Sequence, residues 1–336
     1  MLKVLIAVDG SDCSEKALWD LRKAGMPEKA QAVVLSVADD WAIQQGILDS
    51  PDVYSQYAVP FAGSNFMELS LKEAQRVSKQ AAETLRGYFP LWSIQFESAN
   101  SDSATWGIIE KIESWKPDLV VMGSHGRSQV GRLLFGSVSH KVLTHVHCNL
   151  RISRGRDEKE KQIPPLRIVV AYDGSQESET ALEAALCRHW PKGTAIRLIT
   201  VIDLRVSIAF LHPTGPIRYW TTDEDKNPIA WIDRMLSYQK QRIEEKGFIA
   251  YSEALKGDPK RVLLKEAEEW GADMIFVGPR GLTGRERIIT GSVSTALATH
   301  AHCSVEIVHR LWDATVCCEN ARAEHRDCMT KQTKGK

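Results

Sequence analysis

The sequence predicts an α/β fold built twice: two tandem doubly wound domains, each a five-stranded parallel sheet of order 3-2-1-4-5 with helices on both faces. Three observations carry this. Val4 to Ser11 (VLIAVDGS) returns as Ile168 to Ser175 (IVVAYDGS), and Trp115 to Gly126 (WKPDLVVMGSHG) returns as Trp270 to Gly281 (WGADMIFVGPRG). Such a long period marks a domain duplication, not a solenoid. Runs such as VVLSV and DLVVMG are apolar on both faces, as strands of a parallel sheet covered by helices must be. These runs alternate with helical patterns, the order of βαβ units. A chain of 336 residues also exceeds what one hydrophobic core usually serves.

Taken in order, copy one places strands near 2–8, 31–38, 92–98, 118–123 and 148–153, with helices near 14–24, 66–87, 104–115 and 137–146; copy two repeats the order. The opening run Leu2 to Val8 is short, broken by Lys3 and closed by Asp9-Gly10, so it reads as a buried strand and not as a signal peptide. Long insertions at 40–64 and 204–230 carry Trp41, Tyr54, Tyr57, Phe61, Tyr219 and Trp220. Loops of this length are functional or disordered; packing or a subunit contact is favoured here over a nucleotide lid. The expected domains are 1–154 and 166–310. They are joined by a charged linker, 155–165, which Pro164-Pro165 stiffens, and followed by a disordered Cys-containing tail, 311–336.

Composition narrows the partners. Lys plus Arg and Asp plus Glu both number 43, which removes the long-range attraction a nucleic acid or an anionic membrane would need. No run approaches the ~20 apolar residues of a membrane span. Seven cysteines without regular spacing argue against a disulfide framework and point to a reducing, cytoplasmic setting.

After the fourth strand, copy one reads Gly123-Ser124-His125-Gly126, nine residues, then Gly136-Ser137 at a helix start. Copy two reads Gly278-Pro279-Arg280-Gly281, nine residues, then Gly291-Ser292. Glycine lets backbone approach a phosphate closely, and a helix N-terminus offers unpaired amides and the positive end of its dipole. The hydroxyls of Ser137 and Ser292 are expected to cap the helix or to donate to a phosphate oxygen. Gly131 to Ser137 has the glycine spacing of a Walker A loop but has Ser where that motif needs Lys, and no GxGxxG follows the first strand. Asp9 and Asp173 stand there instead. Ligands of doubly wound sheets bind where strand order reverses, between the first and fourth strands, so each Asp is expected to share a crevice with a glycine loop. A helix N-cap or turn is the competing reading of Asp9. Arg132 and Arg287 match inside the nine-residue loops and either add charge to a bound triphosphate or are solvated.

This GxxG, nine-residue, G[S/T] spacing, together with the first-strand DGS and the following GSVS, resembles the nucleotide-binding branch of the universal stress protein family. The resemblance spans about residues 1–154 and 166–309. It implies ATP or AMP in each crevice, sometimes with Mg. By the same resemblance Asp9 and Val37 would meet adenine or ribose, and Met122, Gly123, Gly126, Gly136, Ser137 and Val138 would line ribose and phosphates. In copy two the matching residues are Asp173, Val201, Val277, Gly278, Gly281, Gly291, Ser292 and Val293. The resemblance also implies a stress-response regulator whose two domains pair through their last strands, around Asn149–Ser153 and Ser304–Val308, with a homo-oligomer or a protein partner left open. Pro279 departs from the pattern because it lacks a backbone donor, so the second site is expected to be weaker or differently selective.

His145-Val146-His147-Cys148 and His300-Ala301-His302-Cys303 look like metal strings. Each lies where a helix meets the last strand, a place that suits His at the negative helix end and Cys as a small apolar group, so no metal site is expected. Cys317, Cys318, His325 and Cys328 read as adventitious, with zinc or redox capture as the alternative. Asp9 could hold a metal, but nothing repeated in both copies is an obvious general base, and no catalytic residue is named. The leading reading is a regulatory nucleotide-binding protein; a slow ATP-hydrolysing enzyme and a nucleotide-free dimerisation scaffold are the alternatives.

Overall fold

The computed structural model describes residues 1–38, 65–126, 135–154, 163–203, 228–281 and 290–312. Arg132, Arg287, the aromatics of both insertions, most of the expected linker and Cys317 to Cys328 therefore lie outside the described residues. The chain divides into two units, 1–22 with 26–157, and 23–25 with 158–336.

The first unit runs β1 (Leu2–Ala7), α1 (Asp12–Leu21), β2 (Ala30–Ala38), α2 (Asn65–Tyr88), β3 (Ser93–Asn100), α3 (Ala104–Trp115), β4 (Leu119–Gly123), α4 (Ser137–His145) and β5 (Asn149–Ser153). Its strands lie in the order β3-β2-β1-β4-β5, every pair parallel. The second unit runs β6 (Arg167–Ala171), α5 (Gln176–Leu186), β7 (Ala195–Ile202), α6 (Pro228–Glu245), β8 (Ile249–Lys256), α7 (Pro259–Trp270), β9 (Met274–Val277), α8 (Ser292–His300) and β10 (Ser304–Ile307). Its order is β8-β7-β6-β9-β10, again all parallel. Both units thus have the expected 3-2-1-4-5 order.

The central strands are apolar on both faces because both faces are covered. Val4, Leu5, Ile6, Val120 and Val121 are fully buried, as are Ile168, Val169, Val170, Ile275 and Phe276. Burial of one such side chain stabilises by roughly 1.5–3 kcal/mol. The outer strand β3 keeps Phe96 partly in solvent, and β8 does the same with Ile249 and Tyr251.

Helix starts follow side-chain chemistry. Ser11, Ser103, Ser175 and Asp258 sit in extended backbone and accept from amides of the first turn, capping α1, α3, α5 and α7. The Ser11 cap sets α1 two residues earlier than the apolar pattern indicated, and the helix closes at Leu21. Gly271 ends α7 in the left-handed region, where glycine carries no Cβ penalty.

Each unit also buries a charge on its last strand. Arg151 of β5 donates from Nε to Asp20 Oδ2 of α1 at 2.9 Å, both essentially out of solvent. The second unit inverts the signs: Glu306 of β10 accepts from Arg188, just past α5. Removing one member of such a pair strands a charge in a medium that solvates it poorly. Asp20→Ala is accordingly expected to destabilise the first unit by about 3–5 kcal/mol, measured by urea unfolding. Glu68→Ala, which breaks an exposed helix-surface pair with Lys72, should leave that transition in place.

Candidate functional site

The chain leaves β1 through Asp9 and turns at Gly10, whose φ of 76° lies in the left-handed region; Gly174 does the same after β6 at 81°. Asp9 Oδ1 accepts from the Ser11 amide at 3.0 Å and from Ser11 Oγ at 2.6 Å. Asp173 Oδ1 accepts from the Ser175 amide at 3.0 Å. Both aspartates are therefore turn residues that position the capping serine. They are not caps themselves. The other carboxylate oxygen faces the glycine loop: a Cβ on Gly126 would stand 2.8 Å from Asp9 Oδ2, and one on Gly281 would collide with Asp173 Oδ2. In the second unit Met235 and Trp231 of α6 also close on the turn, 3.0 and 3.2 Å from where a Gly174 Cβ would be.

The glycines of the loop serve different ends. Gly123 ends β4 against the start of α1, where a Cβ would stand 3.0 Å from the Cys13 backbone; at Gly278 the distance to the Glu177 backbone is 2.9 Å. Only glycine allows strand and helix to approach so closely. Gly136 donates its amide to Ser124 O at 2.9 Å, and Gly291 donates to Pro279 O at 2.6 Å. The residue after the first glycine thus supplies a carbonyl in both units, a role Pro279 keeps although it lacks an amide.

Helices α4 and α8 then begin at Gly136 and Gly291, and neither has a side-chain cap. Ser137 and Ser292 occupy the first helical position, exposed, so the capping role expected of them is not what they perform. The bracing hydroxyls are Ser139 and Ser294. Ser139 Oγ donates to Gly123 O at 2.9 Å and Ser294 Oγ donates to Pro279 O at 2.8 Å. Both stood in the repeated GSVS, where the second serine was the usable signal.

In each unit the structure gathers the Asp, the glycines and the serine at the helix start around the carboxyl end of the first and fourth strands. Met122, one residue before the end of β4, and Val277, the last of β9, are buried side chains. Val37 lies near the end of β2, half-buried, with its side chain against Gly107 of α3, 2.8 Å from where a Cβ there would stand. Val201 holds the matching place in β7, and Val138 and Val293 are half-buried in the first turns of α4 and α8.

Charges around the first site differ from those around the second. His125 Nδ1 is 2.8 Å from Ser124 Oγ, while Nε2 is buried without a hydrogen-bond partner. Burial, and then the Arg154 guanidinium just past β5, hold the imidazole below its ordinary range. Arg154 itself lies over the Phe135 ring at 6.0 Å. Burial chiefly raises the Cys13 thiol, opposed by Lys16 and assisted by Asp9 and Asp12, and the His125 amide donates to its sulfur. In the second unit Arg280 replaces His125 and sits 3.5 Å from Glu177, the counterpart of Cys13. Arg154, Cys13 and Glu177 were not among the residues expected from sequence. Arg154 was hidden by its place at the head of a charged run.

His145 Nδ1 meets Lys141 O at 2.7 Å, and His302 Nε2 meets Ala272 O at 3.1 Å. Among the described residues no three or more His, Cys, Asp or Glu side chains are grouped to hold a metal. Among them, too, no helix is long and apolar enough to cross a membrane.

Fold and site define a tandem α/β protein with an aspartate set against a loop glycine at each reversal of strand order. The chain belongs to the universal stress protein family, whose profile matches residues 1–154 and again 166–309. It is 23% identical over 312 residues to a universal stress protein of Mycolicibacterium smegmatis, covering 91% of this chain and 96% of that one. A universal stress protein of Mycobacterium bovis is 24% identical over 327 residues, with 92% and 95% covered. The crystal structure of a universal stress protein from Archaeoglobus fulgidus aligns over 92% of this chain and 98% of its own, with a TM-score of 0.59 at 21% identity, and shows a shared fold.

Because Gly126 and Asp9 leave no room for a Cβ between them, Gly126→Val should displace the carboxylate and lower stability by about 1–3 kcal/mol. Thermal unfolding of the full chain checks this, and an unchanged midpoint would contradict the packing described.

Proposed function

We propose that the chain is an adenine-nucleotide-binding regulator of the stress-response type, with one site for ATP or AMP in each unit and Mg arriving with the phosphates. The observation that carries this reading is that α4 and α8, unlike α1, α3, α5 and α7, start at glycine without a side-chain cap, beside an aspartate and at the reversal of strand order. Uncapped first-turn amides and the helix dipole suit a phosphate. A carboxylate repels phosphate and accepts from hydroxyls, so Asp9 and Asp173 suit ribose, with Val37 and Val201 toward the base. Met122, Gly123, Gly126, Gly136, Ser137 and Val138 would line the rest of the first site. Val277, Gly278, Gly281, Gly291, Ser292 and Val293 would line the second, and Arg132 and Arg287 would add charge. Occupancy would act by altering the surface offered to a protein partner. Cys13, Cys148, Cys187 and Cys303 are in no disulfide, which fits a reducing, cytoplasmic setting. A hydrolytic role is not favoured, since the residue between the loop glycines is His125 in one unit and Arg280 in the other, and the shared Asp9 and Asp173 are assigned to ribose.

Acid release of nucleotide from the freshly purified full chain tests the proposal. About two adenine nucleotides per chain are expected, falling by about half in Gly136→Glu and in Gly291→Glu. Recovery of none, with no uptake of added ATP and magnesium, would overturn it.

A further inference from the structure

The two units differ in charge at one pair of matching positions beside the glycine loop. In the second unit the residue between the loop glycines is Arg280, whose guanidinium faces the carboxylate of Glu177 at 3.5 Å while its Nε is buried without a hydrogen-bond partner. In the first unit both charges are gone. Cys13 replaces the carboxylate, and its thiol is pushed toward the neutral form. His125 replaces the guanidinium, with Nδ1 on Ser124 Oγ and Nε2 buried without a hydrogen-bond partner. An unsatisfied buried nitrogen is costly, and buried polar atoms without partners call for an explanation such as an absent ligand.

We propose that His125 contacts the phosphates of a nucleotide in the first unit and takes up a proton as it does so, so that the affinity of this unit, and not of the second, rises as pH falls. The inference rests on the nucleotide reading above. The proton comes from solvent. The resulting imidazolium donates from Nδ1 to Ser124 Oγ and from Nε2 to a phosphate oxygen, which satisfies both nitrogens. The groups facing this position are Arg154 from the end of β5, Cys13 from α1, and Asp9 from the turn after β1, whose Oδ2 lies against the adjoining Gly126.

Without ligand, burial and Arg154 disfavour the imidazolium and set the proton affinity of His125 below its ordinary range. A phosphate at Nε2 favours the imidazolium and raises it. The added affinity is therefore complete at pH below the ligand-free value and is lost as pH rises through the ligand-bound value. Each pKa unit between the two states is about tenfold in affinity. A guanidinium does not lose its proton in this range, so the second unit, with arginine in place of His125, has no such slope.

Isothermal titration calorimetry with MgATP, in buffers of unlike ionisation enthalpy, tests this. Full-length Gly291→Glu reports the first site and Gly136→Glu the second. For the first site we expect net proton uptake near neutral pH and affinity about tenfold greater at about pH 6 than at about pH 8. In the same background His125→Arg should bind with no proton uptake and a flat pH profile, and His125→Gln should be flat and weaker. The second site should be flat. MgATP binding to the first site without proton uptake, or a slope that survives in His125→Arg, would overturn the inference while leaving two nucleotide sites intact. No MgATP binding to the unsubstituted chain would overturn the nucleotide reading and this inference together.

Discussion

The approach of β4 to the first turn of α1 is the constraint on which the rest of this fold depends. With only 3.0 Å between a would-be Cβ at Gly123 and the Cys13 backbone, strand and helix touch main chain to main chain. Gly278 and Glu177 repeat the contact at 2.9 Å. The contact fixes where β4 ends, and so where the following loop must start. It also explains why that glycine is present whether or not a ligand is.

Once the loop starts there, its second glycine lies beside the aspartate after β1, and Ser139 or Ser294 ties the first turn of the next helix back to the loop carbonyls. The serine that caps α1, α3 and α5 has its counterpart here at the third helical position, where it braces the loop and does not cover the first amides. A helix start held rigidly and left without a side-chain cap is what anion recognition requires. One short set of close contacts thus links packing to the proposed chemistry, and the second unit repeats it with most surrounding residues changed.

The fold was legible because its signals are periodic and doubled. Apolar runs on both faces, separated by helical patterns, leave few arrangements besides a parallel doubly wound sheet. The proximity of Asp9 and Gly126 also followed, since it depends only on strand order. Finer assignments failed where two side chains compete for one role. In sequence Ser137 reads as a cap or a phosphate donor; the cap position belongs to Gly136, in extended backbone, and Ser139 is the brace. The buried pairs Arg151–Asp20 and Arg188–Glu306 were hidden because a charge on an apolar strand shows its partner only in three dimensions. Cys13 was missed for the same reason, reaching the site from a helix whose own pattern is ordinary, and Arg154 because it heads a charged run just past β5.

Hydrogen–deuterium exchange of the full chain with and without MgATP tests the central claim most directly, since it reports where a ligand acts and not only whether one binds. Slowed exchange is expected in two sets of peptides, those around Asp9 to Ser14 with Gly123 to Ser139, and those around Asp173 to Ser178 with Gly278 to Ser294. Unchanged exchange in both sets, or protection confined to other parts of the chain, would contradict it.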